Sequence, residues 1–145
     1  MSKSSSKKYY LDNDELKSEI LKCKESKIAS EKLGQMFYKI VENVSDIIIN
    51  SDDNNPYILN ISFKDVNAEA LILMLSISGI YVSSGSACNS KGTEVSRVLK
   101  SIGVPKDYIY GTIRVSFSTD NTSEEIITAA NEIIRCVDTQ RKMRI

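Results

Sequence analysis

Cys88 stands in a run of small and polar residues, Ser84 to Thr93 (SGSACNSKGT), with hardly a side chain to shield it. Free cysteine usually prefers burial on an apolar face. Cys23 and Cys136 fall in apolar-periodic stretches and are expected to obey that rule. Cys88 does not fit it. A thiol placed there is accessible and mobile, as a nucleophile or a sulfur acceptor requires. The plainer reading is a small cysteine chosen for size in a turn, and local context leaves both open.

Composition narrows what such a thiol could do. The chain has 145 residues, 19 basic and 19 acidic side chains, and no histidine. Without histidine no Ser–His or Cys–His pair can form and no imidazole can ligate zinc. Proton movement falls to carboxylates, lysine, tyrosine, thiol, a cofactor or a partner. Zero net charge argues against a nucleic-acid partner. No run of 18 apolar residues exists, so no membrane partner is expected. The cysteines are odd in number and far apart, which argues for reduced thiols and a cytoplasmic location rather than a disulfide framework.

The surrounding elements follow from periodicity. Residues 1–11 are read as a disordered or loosely packed lead-in. Asp12 with Glu15 signals a helix start, and residues 12–45 form one long helix. Its inward positions are Leu16, Ile20 and Cys23, then Leu33, Phe37, Ile40, Val41 and Val44; its polar first half is expected to be the more exposed. The run Asp46 to Asn50 fits either a strand or a helix end, and Ser51 to Pro56 is a loop. Tyr57, Leu59, Ile61 and Phe63 alternate as a half-buried strand. Asn67 caps a helix to Ser78, with Ala70, Leu71, Met74 and Leu75 on one face and Gly79 as its stop. Ile80 to Ser83 reads as a short strand. Glu94 to Ile102 reads as a short helix, with Val95, Val98, Leu99 and Ile102 inward. Thr112 to Ser118 is a strand with Ile113, Val115 and Phe117 on the core face. Thr112, Arg114, Ser116 and Ser118 take the other face. Thr122 with Glu125 opens a last helix reaching Arg141. Residues 46–145 therefore make a small α+β domain, an antiparallel or mixed sheet with helices packed on it, preceded by the long helix.

The stretch SSGSACNS, then Glu94, Ser96 and Val98-Leu99, then GTIRVSFSTDNTSEEI from Gly111 to Ile126, resembles the C-terminal part of cysteine desulfurases. More narrowly, it is similar to the nitrogenase-type and iron–sulfur-cluster-type members of the class V aminotransferase superfamily. Those carry Ser-Gly-Ser-Ala-Cys, a Glu-Pro-Ser-His-Val-Leu helix start, and an Ile-Arg-x-Ser strand before an Asn-Thr-x-Glu-Glu helix start. The likeness covers roughly residues 33–137. Here Val95 replaces the motif's proline and Arg97 its histidine.

The resemblance implies chemistry. Pyridoxal phosphate on a lysine of a large domain holds L-cysteine as an imine, and a loop thiolate takes its sulfur as a persulfide. By motif position Cys88 is that catalytic nucleophile. Arg114, in the Ile-Arg-x-Ser position, binds the substrate carboxylate, a task suited to a planar fork. Without the family, Arg114 reads as a solvent-exposed strand arginine. Ser83, Ser84 and Ser86 read as flexible loop filler. The family's cofactor lysine follows a histidine, and a second histidine stacks on the ring. Neither motif exists in this chain, so no cofactor-binding or metal-ligating residue is assigned. The expected role is the C-terminal domain of a cysteine desulfurase, inactive alone. The alternatives are a cofactor-free sulfur-relay or interaction module and a fragment without present function. Expected partners are L-cysteine or a persulfide donor, a sulfur-acceptor protein, a chain supplying the cofactor domain, and a second copy meeting the first helix or the cleft face.

Overall fold

The computed structural model describes residues 13–51, 55, 57–84 and 97–144. Cys88, the lead-in, Asp12, the Glu15 side chain and residues 94–96 lie outside them. Helix α1, Asn13–Val41, opens the fold. Its second half follows the helical period inward: Leu33, Phe37 and Val41 are buried, as is Val44 just beyond. The Leu16 side chain also lies outside the described ones; those described in the first half are mostly exposed, Ile20, Leu21 and Ile28 among them. Cys23 is exposed as well, against expectation. The reason is the neighbour. The final helix α5, Ser123–Met143, has 21 residues against the 29 of α1. The two finish together, because Arg141 near the end of α5 reaches the Ser45 and Asp46 carbonyls just past α1. The early turns of α1 therefore run on past the start of α5. An apolar period buries nothing where no second surface lies beside it.

Asp46 turns the chain in the left-handed region (φ 55°), which aspartate tolerates better than most residues. Strand β1, Ile47–Ile49, follows. Strand β2, Ile58–Phe63, pairs with it antiparallel, Ile47 opposite Phe63 and Ile49 opposite Ile61. Helix α2, Ala68–Ile77, begins at Asn67, whose side chain accepts the Ala70 N–H at 2.9 Å. It ends at Gly79 (φ 77°), where Gly79 and Ile80 return their N–H groups to the Ser76 and Leu75 carbonyls. Leu71 and Leu75 are buried, but Ala70 is exposed.

Strand β3 is only Ser83–Ser84; Ile80 to Val82 approach it without a ladder. Helix α3, Arg97–Ser101, buries Leu99 as expected, while Val98 and Ile102 face solvent, a correction to their inward reading. A five-residue helix has one face to give, and Leu99 spends it on Val104 and Ile109. Pro105 then starts a four-residue helix, α4 (Lys106–Ile109), that the periodicity did not announce. Strand β4, Thr112–Ser116, completes an antiparallel sheet of order β1-β2-β4-β3. A capping box at Thr122 and Glu125 launches α5 as the sequence anticipates.

One face of the sheet carries Ile47, Ile49, Leu59, Ile61, Phe63, Ile113 and Val115. It joins Phe37 and Val41 of α1, Leu71 and Leu75 of α2, and Ile126, Ile133, Cys136 and Val137 of α5 in a single core. The rings of Phe37 and Phe117 meet edge to face at 5.5 Å. The architecture is the expected α+β arrangement with a long first helix, and the sheet is antiparallel throughout.

Candidate functional site

The other face of the sheet is polar, and its rows are set by register. Arg114 of β4 lies opposite Asn60 of β2 on one side and Ser83 of β3 on the other. The Asn60 carbonyl accepts the Asn50 N–H (2.9 Å), and the Asn60 N–H reaches Ser51 Oγ (3.1 Å). Both main-chain groups of Asn60 therefore point toward β1. Asn60 and Arg114 are in consequence a pair without mutual backbone bonds, the kind whose side chains stand closest in an antiparallel sheet.

Arg114 is exposed, as alternation against Ile113 and Val115 requires. It is not loose, because its Nε donates to Ser83 Oγ at 3.2 Å. Ser83 is thus a holder of Arg114 rather than filler. A bond at Nε leaves both terminal nitrogens as a two-pronged donor, with no partner among the described residues. Ser84 is the last described residue before the segment carrying Cys88.

Further along the same face a buried hydroxyl chain runs under α4. Thr112 Oγ1 donates to the Tyr108 carbonyl (3.3 Å), Ser62 and Thr112 share a 2.6 Å bond, and Asn50 Nδ2 donates to Ser62 Oγ at 2.7 Å. Thr112 is therefore on the polar face yet covered, because the α4 turn lies over it. Alternation gives a residue's face but not what lies above it. Sequence reasoning names Ser83 only as loop filler and gives Asn60 no role. Their signal is cross-strand register, which one sequence does not print.

The other thiols are differently placed. Cys136 is fully buried, and burial pushes its thiol pKa up, with the nearby Glu132 carboxylate acting the same way. A raised thiol pKa opposes nucleophilic use. No group of histidine, cysteine or carboxylate side chains able to hold a metal occurs among the described residues. No described helix is long and apolar enough to cross a membrane.

A cleft of about 840 Å³ opens by Gly79–Val82, the end of β4 and the start of α5. Glu124 and Glu125 line it, and among the described residues no lysine or arginine does. Every described lysine is exposed except the half-buried Lys64. With no histidine in the chain, the described residues do not fit pyridoxal phosphate by themselves: they offer neither an enclosed amine nor an imidazole to stack on its ring.

A four-stranded antiparallel sheet with helices packed on one face is the frame in which comparison with known proteins is read. The family model for aminotransferase class-V matches residues 16–128, and the chain belongs to that family. Its curated relatives are cysteine desulfurases. Cysteine desulfurase IscS of Methanosarcina thermophila is 40% identical over 85 residues, covering 59% of this chain and 21% of that protein. Cysteine desulfurase IscS of Buchnera aphidicola is 35% identical over 114 residues, covering 77% of this chain and 28% of that protein. Among solved structures, a NifS-like protein from Rickettsia africae superposes with a TM-score of 0.66 at 25% identity, over 79% of this chain and 29% of that one. A second NifS-like protein gives 0.68 at 24% identity, over 87% and 32%. The chain spans 21 to 28% of the length of these two curated relatives.

Proposed function

We propose that this chain is the C-terminal, small-domain portion of a cysteine desulfurase, with residues 46–145 as the domain and Cys88 as the residue that carries persulfide sulfur. The observation that carries the reading is the Arg114 Nε–Ser83 Oγ bond on the strand that leads into the Cys88 segment. It leaves a guanidinium fork free for a carboxylate, next to the strand from which the chain runs on toward Cys88. Arg114 would bind the α-carboxylate of L-cysteine, or of a persulfide-bearing substrate, in the two-pronged manner that arginine favours. The Cys88 thiolate would attack the outer sulfur of a persulfide donor, and the donor's inner sulfur would leave as thiolate. Pyridoxal phosphate would supply the electron sink for cleaving L-cysteine itself when bound by lysine-bearing residues other than those described.

The second reading is a relay, in which sulfur comes only from another protein's persulfide. Both readings put the sulfur on Cys88 and pass it to an acceptor protein. The test is incubation of the chain with an active desulfurase and L-cysteine, followed by mass spectrometry of the peptides. Sulfur on Cys88, absent in Cys88→Ser, is the expected result. Equal uptake by Cys88→Ser would refute the assignment. Exposed Ile20, Leu21 and Ile28 on α1 support self-association through that helix. Sedimentation that stays monomeric at high concentration would count against it.

A further inference from the structure

We infer that Asn60 is a second carboxylate-binding donor beside Arg114, and that its amide is aimed by Asn50. The inference rests on the carboxylate role proposed for Arg114 and extends it to a residue on a different strand.

The argument is one of donor direction. Thr112 gives its hydroxyl proton to the Tyr108 carbonyl, so in the Ser62–Thr112 bond the proton must come from Ser62. Ser62 Oγ, having donated, accepts from Asn50 Nδ2. That fixes the Asn50 amide with its nitrogen toward β2. The same nitrogen donates to Asn60 Oδ1 at 2.9 Å. Asn60 is thereby fixed too: its oxygen is used, and its NH₂ group is presented unpaired among the described residues. The hydroxyl row acts as a one-way chain whose end is a free amide donor. The arrangement has a cost, since Asn50 Oδ1 is buried without a partner. Reversing the Asn50 amide would bring its oxygen to Ser62 and Asn60 and break the chain of donors.

Register places that donor beside the guanidinium. Asn60 and Arg114 are direct cross-strand partners in the close, non-hydrogen-bonded geometry, with Cα atoms about 4.5 Å apart in such pairs. A carboxylate there would take the charged fork across its two oxygens and the neutral amide on a remaining lone pair of one of them. An amide, unlike a second cation, adds a directional contact without attracting every anion equally. Asn60 would therefore favour a carboxylate over a spherical anion.

The test is nitrogen–proton NMR on the full chain, titrated with N-acetyl-L-alanine, a carboxylate with no thiol or free amine. Chloride at matched ionic strength is the reference. The Asn60 side-chain NH₂ and the Arg114 Nε–H signals should move along one isotherm, and not with chloride. Asn60→Ala should weaken the apparent affinity about five-fold, the effect of losing one exposed hydrogen bond. Asn60→Asp keeps an oxygen for Asn50, so the fold is spared, while its charge pairs with Arg114 and should abolish the shifts. If Arg114 responds but Asn60 does not, or Asn60→Ala binds as the parent does, the inference is overturned and the role of Arg114 stands. If Arg114 itself is silent, both fall.

Discussion

Phe37→Ala tests whether the second half of the long first helix belongs to the core. Phe37 is fully buried, and its ring meets Phe117 at 5.5 Å and 65°. Truncating a buried phenylalanine to alanine costs about 3–5 kcal/mol, which includes the cavity left behind. The edge-to-face pair accounts for about 0.5–1.5 kcal/mol of that and can be isolated by a double-mutant cycle with Phe117→Leu. With a urea slope of about 2 kcal/mol/M, a loss of about 4 kcal/mol moves the unfolding midpoint down by about 2 M. Leu21→Ala, one helix face away from any neighbour, should shift stability by no more than about 0.5 kcal/mol. Circular dichroism and tyrosine fluorescence should follow the same transition in each case. Equal midpoints for Phe37→Ala and Leu21→Ala would refute the reasoning, because the two halves of α1 would then be energetically alike.

Other outcomes follow from single contacts. Gly111→Ala should destabilise by about 1–3 kcal/mol in chemical melts, since a Cβ there would strike the Phe63 carbonyl and crowd that of Val66, both main-chain atoms that cannot swing away. Glu132 is held at a pKa of about 2, below its usual 4.5, first by its hydrogen bond from Arg135 and then by that from Ser78. Because its acid is depressed in the fold, its stabilisation is present above pH 4.5 and fades as pH falls toward 2. Glu132→Gln should therefore flatten the acid melting profile in that window, modestly, because its partner Arg135 lies exposed to solvent. A native thiol reagent should label Cys23 quickly and Cys136 only on unfolding; fast labelling at Cys136 would contradict its burial.

The sequence was most legible where a signal is local. The Thr122–Glu125 capping box, the Asn67 cap and the Gly79 stop all lie in four-residue patterns, and each stands where its pattern puts it. Legibility fell wherever the answer depended on what comes to lie alongside. Cys23, Val98 and Ile102 share the apolar period of buried residues but are exposed among the described residues. Thr112 and Ser62 are polar by alternation yet sealed beneath α4. At the candidate site, the exposed face of Arg114 could be read from alternation. Its contact with Ser83 and its pairing with Asn60 could not, because register links residues 31 apart and 54 apart in the chain. The position of Cys88 lies outside the described residues.

The sheet's β1 edge, three residues long, leaves a foreign peptide almost no rail along which to extend the ladder. Growth by strand addition, the usual route from a small open sheet to fibrils, is therefore blunted at that flank by brevity alone. Whatever this molecule joins at that edge, it should join through side chains and helix faces rather than through its backbone.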